Sequence, residues 1–175
     1  MATVEITPAG TQAPGRVKVG FFAGSLAAAG AISLASDIGH TGFLNVSFYI
    51  PGEDWGPAGS QNKGQDVRLG AVQTFESIGL KNWAIPDITY IEDVQGDGTG
   101  TPKGLLVEGT AGTLVVRWGL TAATDWATTQ RVYAFPVTLG MRWPVKTTTD
   151  EFGKLAYQQI VAVTGTATED VAITA

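Results

Sequence analysis

The sequence predicts an all-β fold, and three observations carry the prediction. Twenty-three glycines and eight prolines are scattered through 175 residues, which suits many short strands and turns better than long helices. Hydrophobic residues make up 44% of the chain and charged residues 15%, so a chain of this length can bury a core within one domain without disulfides or metals. Apolar residues also recur at a period of two, most clearly where Arg131, Tyr133 and Phe135 alternate with Val132 and Ala134.

Taken in chain order, residues 1–20 contain Pro8, Gly10, Pro14 and Gly15 among a few valines and isoleucines and read as an extended N-terminal arm. They show neither a basic leader nor an apolar run with a cleavage site. The window from Gly20 to Ala35 is uncharged, but its three glycines and two serines, and Asp37 closing it, stop it short of a membrane-spanning helix. A strand pair around a small-residue turn is the expectation there. Strands are expected at Ala31–Leu34 and Gly42–Ile50. A sixteen-residue loop without usable periodicity follows at Pro51–Asp66, holding Trp55 and charges of both signs. Further strands are expected at Val67–Ile78, Ile85–Val94, Thr113–Leu120, Arg131–Trp143 and Lys154–Gly165. Pro136 and Gly140 mark an edge, bend or bulge in the fourth of these. Gln95–Gly104 is turn chemistry between strands, and Pro102–Glu108 is the place for one or two helical turns. Residues 21–165 thus form a single domain, and residues 166–175 a C-terminal tail.

Composition and spacing weigh against most chemistry. Eleven basic and sixteen acidic side chains leave a net charge of −5, the wrong sign for salt-dependent affinity toward phosphate backbones. Cysteine is absent, which removes thiolate metal sites and cysteine nucleophiles. The glycines of GDGTGTPKG lack the Lys-Ser/Thr ending of a Walker loop and the βαβ setting of a dinucleotide fingerprint. Asp93, Gln95, Asp97 and Gly98 fit the first half of a calcium loop, but its twelfth place is Gly104 and not a bidentate carboxylate. The acidic pairs Glu53–Asp54, Glu92–Asp93, Asp150–Glu151 and Glu169–Asp170 read as solvated charge, because strand neighbours face opposite ways and loop carboxylates are screened. The lone His40 sits in a turn, DIGHTG, and no histidine triad or metal constellation can be assembled around it. The five tryptophans are too dispersed for a stacking ladder and read as core or interface packing. No enzyme, no cofactor and no metal site is expected. In GTAGTLVVRWGL, a turn at Gly109–Gly112 enters an apolar strand that puts Leu114, Val116 and Trp118 on one face and Val115 and Arg117 on the other.

The segments QDVRLGAVQTFESIGLKNWAIPDITYIEDVQ, LLVEGTAGTLVVRWGL, QRVYAFPVTLG and VAVTGTATEDVAI, in that order, resemble the major tail tube proteins of long-tailed, siphovirus-type bacteriophages, especially those of actinobacterial hosts. The similarity runs over roughly residues 65–175, and residues 1–64 match in layout only. The resemblance implies a tail-tube-like β-sandwich or barrel with one short helix. Six such subunits would close a ring, and rings would stack into a tube that holds the tape-measure protein and passes DNA during ejection. Self-association is then the main partnership, with tape-measure, tail terminator and distal tail proteins as further partners and DNA in transient, non-specific passage. The protein would belong to the virion tail and be assembled in the host cytoplasm. The 51–66 loop becomes an inter-ring loop, with Trp55 as its anchor on a neighbour and Glu53, Asp54, Lys63 and Arg16 as further interface residues. Asp66, Arg68, Glu76, Glu92 and Arg117 become lumen or seam charges. Two other classes remain open, another virion β-module such as a capsid decoration protein and a carbohydrate-binding or hydrolytic β-sandwich.

Overall fold

The structure, a computed structural model, describes residues 15–26, 28, 30–51, 55–67, 73–147 and 153–175. The strands are β1 (Val17–Phe22), β2 (Ile32–Ser33), β3 (Phe43–Asn45), β4 (Ala58–Asp66), β5 (Phe75–Ala84), β6 (Ile88–Ile91), β7 (Ala111–Trp118), β8 (Arg131–Lys146), β9 (Leu155–Val163) and β10 (Thr168–Thr174). A π-helical turn follows β2 at Leu34–Ile38, and a short helix, α1, spans Pro102–Leu105 with its proline in the first turn. The chain is mainly β, as expected, and its principal sheet curls into a half-barrel.

β8 is the spine of that sheet. One of its edges pairs with β7, and the other pairs first with β10 and then with β9. From β7 the sheet continues through β1 to β3, from β10 to β2, and from β9 to β6. All of these pairings are antiparallel except the short one between β10 and β2. Pro136 falls between the residues of β8 that meet β10 and those that meet β9, so its missing N–H interrupts no ladder there, and its carbonyl accepts a bond from Thr164 N at 2.9 Å. The bulge anticipated at Gly140 forms between Leu139 and Arg142.

Both faces of the sheet are apolar, which explains the unbroken aliphatic run of β7. On one face Val19, Phe21, Leu114, Val116, Phe135, Val137, Leu139 and Val161 pack with Ile88 and Tyr90 of β6 and with Leu106 just after α1. On the other, Val115, Val132, Ala134 and Ile173 pack with Ile32 and with Ile38 of the π-helical turn. Gly112 is required by this packing, because a Cβ there would stand 2.5 Å from the Phe21 ring and from the Phe22 carbonyl oxygen.

Several expectations change. Residues 58–66, expected as loop, are a strand, and Val67–Ile78 is not one strand, because β4 ends at Asp66 and β5 begins at Phe75. Gly42–Ile50 shortens to β3 because the backbone turns at Val46, whose N–H bonds to Val19 while Tyr49 N bonds back to Val46. Gln95–Gly104 leads into α1 instead of joining two paired strands. Of the N-terminal arm, residues 1–14 lie outside the described residues, while Val17 onward is strand β1, flanked by β7 and β3. The C-terminal tail contains β10, paired on both sides.

Candidate assembly interface

β4 and β5 form a hairpin that belongs to neither face of the sheet. They pair with each other from Ala58↔Ala84 to Asp66↔Phe75, and among the described strands with nothing else. At roughly 3.3 Å per residue a nine-residue strand reaches about 30 Å. Nearly every residue along it is exposed, including Ile78 at 73% and Leu80 at 90%, with Phe75 at 56% near its far end. Between Gln61↔Lys81 and Lys63↔Ile78 the register advances by two residues on β4 and three on β5, a bulge that bends and twists the ribbon. Its surface bonds are modest: Lys63 Nζ lies 3.4 Å from the Glu76 carboxylate, and Gln61 Nε2 donates to Gly79 O at 2.9 Å. A two-stranded ribbon with no apolar face covered is marginally stable in water, so these residues need a surface to bury against.

The hairpin meets the body at its root. The Trp83 ring packs edge-on against Phe135 and Tyr133, with centroids 5.2 and 6.1 Å away, and Ile85 continues into the core. Lys81 Nζ lies 2.9 Å from one Glu169 oxygen and 3.2 Å from the other, and Trp83 Nε1 donates to the same carboxylate at 3.0 Å. The Lys81 bond, then the Trp83 bond, holds the Glu169 carboxyl below the ordinary glutamate value. Glu169 is thus a tie between the hairpin and β10, and not the solvated charge of a tail.

The other expected residues fall elsewhere. Trp55 is partly buried against its own core, and its indole N–H donates to Asp87 O at 3.3 Å. Lys63, Asp66 and Glu76 lie on the hairpin, the first and last as an exposed pair. Arg16 Nη1 donates to Gly119 O at 3.2 Å. Glu92 accepts from Lys103 N at 2.7 Å and from the Thr101 hydroxyl, which fixes the start of α1. Glu53, Asp54 and Arg68 lie outside the described residues.

Arg117 corrects the seam or lumen expectation most directly, for it is 0% exposed inside its own subunit. Its guanidinium donates to the carbonyls of Thr121, Thr124 and Asp125 and to Gln130 Oε1, at 2.7 to 3.2 Å. Lys18, directly opposite in register, donates to Thr124 O at 2.7 Å. Two cations side by side would repel, but the loop carbonyls and the Trp126 face, 5.3 Å from Lys18 Nζ and 5.2 Å from Arg117 Cζ, supply compensating negative potential. Burial, and then Arg117 itself, pulls the Lys18 pKa down. The pair therefore organises the loop between β7 and β8.

The glycine-rich loop after β6 is likewise occupied by its own chemistry. Lys103 Nζ donates to Val94 O at 2.9 Å and to Gly96 O, and Asp97 accepts from Thr99 N at 2.9 Å. Gly98 has φ +81 and its carbonyl abuts Gly104, leaving no room there for a side chain. The lysine a phosphate would need is thus engaged by carbonyls. Among the described residues no group of three or more His, Asp or Glu side chains converges on a possible metal position, and no helix is long and apolar enough to cross a membrane.

Sequence reasoning missed Ile78, Leu80, Lys81, Trp83 and Glu169. The available signal was a hydrophobic set, Phe75, Ile78 and Leu80, in a segment with no matching apolar partner run in Pro51–Asp66. The chain is therefore a mainly β body carrying an exposed two-stranded ribbon. No curated protein matches it. Residues 4–175 match the family model described as phage tail tube protein, and with all but three residues inside that match, the chain belongs to the phage tail tube protein family, a structural component of the virion tail.

Proposed function

We propose that this chain is the major tail tube subunit of a long-tailed, siphovirus-type phage of an actinobacterial host, six copies closing a ring and rings stacking into the conduit for DNA ejection. The phage type and host rest on the segment resemblance, and self-assembly into a tube follows from the family. The observation that carries the reading is the hairpin, whose exposed Phe75, Ile78 and Leu80 are of use only when another surface covers them. Covering each such side chain stabilises a contact by about 1.5–3 kcal/mol. The hairpin strands carry two lysines, Lys63 and Lys81, and two acids, Asp66 and Glu76, so no net charge opposes the approach of a second copy. Six chains at −5 each give a ring −30, a balance that disfavours phosphate contacts and lets DNA pass without adhering.

Electron microscopy of the purified protein tests the reading. Wild type is expected to form rings or tubes, whereas the double variant Ile78→Asp, Leu80→Asp remains monomeric. A wild-type protein that stays monomeric under every assembly condition, or forms capsid-dependent trimers, rejects it.

A further inference from the structure

We infer that Glu169 is a positioning residue for assembly, a latch that fixes the angle at which the β4–β5 hairpin leaves the body. Lys81 and Trp83 are two apart on β5 and so present their side chains on one face of the ribbon, and both donate to the same carboxylate at 2.9 to 3.2 Å. The acceptor is held in place by a local distortion of β10. The register shifts between Thr168 and Val171, and Asp170 adopts φ +48, a left-handed conformation that non-glycine residues rarely take. Arg131 of β8 braces this bulge, donating to Asp170 O at 2.7 Å with its carboxylate 3.8 Å away. The bulge carries Glu169 out of the ladder toward β5, and a regular strand would have kept it in register with β8.

Packing does not make the latch redundant. Grooves of about 190 and 490 Å³ lie against it, and both are lined by Lys81, Asn82, Trp83 and Glu169. At its root the ribbon is therefore held by the Trp83 and Ile85 contacts together with hydrogen bonds to the Glu169 carboxylate. A ribbon some 30 Å long magnifies a small change of angle at its root into a displacement of several ångströms at its tip. A latched hairpin offers neighbouring copies one geometry, which is what regular stacking needs. That last step rests on the tube-subunit reading, while the latch itself does not.

Hydrogen exchange on the unassembled subunit separates the two. In Glu169→Ala the amides of residues 58–66 and 75–84 are expected to exchange roughly tenfold faster, the scale set by lost charge-assisted hydrogen bonds, with the unfolding midpoint of the body unchanged. Glu169→Gln, which keeps an acceptor for Trp83, should fall between the two, and Lys81→Ala combined with Glu169→Ala should add little to Glu169→Ala alone. Hairpin exchange equal to wild type in Glu169→Ala overturns the latch, whether or not the protein forms tubes. If wild type forms tubes, Glu169→Ala should form fewer or irregular ones, and an unchanged tube yield overturns the assembly role. If wild type forms none, the tube reading fails and the exchange result still decides the latch.

Discussion

The curled sheet and the β4–β5 hairpin are built from the same kind of strand, yet they solve opposite problems. In β7 six consecutive residues, Gly112 to Arg117, are buried between two apolar layers, and in β5 every residue but Trp83 is exposed. The body holds itself together, whereas the described hairpin residues rely mainly on their own ladder and, at the root, on Trp83, Ile85 and the Glu169 carboxylate. The difference separates what a subunit needs in order to fold from what it needs in order to join others. Under the proposed function, residues whose loss unfolds the chain lie in the first region, and residues whose loss stops assembly lie in the second.

Four changes test that division, in falling order of their effect on the isolated subunit. Phe135→Ala opens a cavity where the two regions meet and should cost about 3–5 kcal/mol in denaturant unfolding. Arg117→Ala leaves the carbonyls of the 119–130 loop without their donor and should cost roughly 1–3 kcal/mol. Arg117→Lys is expected to recover little, because one ammonium cannot replace the fork. Ile78→Asp with Leu80→Asp should shift the stability of the monomer by no more than about 0.5 kcal/mol while abolishing tubes in electron micrographs. A large loss of monomer stability in that variant would mean that the hairpin belongs to the folding unit.

Acid is the mildest probe. The folded-state value of Glu169 is lowered, so its tie to Lys81 and Trp83 is fully present above the ordinary glutamate value of 4.5 and is lost as pH falls through the lowered one. Lys81 and Trp83 face the carboxylate from β5, with Asp170 beside it on β10 and Arg131 across on β8. The Trp83 indole N–H resonance is expected to move over that range in wild type and to stay flat in Glu169→Gln. A flat wild-type titration would show that the carboxylate does not hold the indole.

Much of the fold could be read from residue order. Glycine and proline spread, the alternation of Arg131–Phe135, the proline that opens α1 and the aliphatic run of β7 all report on local backbone preference and on burial, and these lie in the chain itself. The hairpin was not legible, because hydrophobic periodicity marks a strand by the face it buries, and β4 buries no face within the subunit. Its Ala, Gly, Ser, Gln and Asn residues therefore looked like loop. Trp55 and Trp83 show the same limit: each is a tryptophan in a glycine-containing polar setting, but one bonds to Asp87 and packs inward while the other bonds to Glu169, eighty-six residues away. Arg117 read as a lumen or seam charge because most of its partners are backbone carbonyls, which every residue carries and which leave no mark in a sequence. Composition and periodicity were thus enough for an all-β chain with one buried-strand core. Which ribbon stands free, which carboxylate holds it and which cation stays inside depended on long-range pairing, since those contacts join residues whose identities do not predict one another.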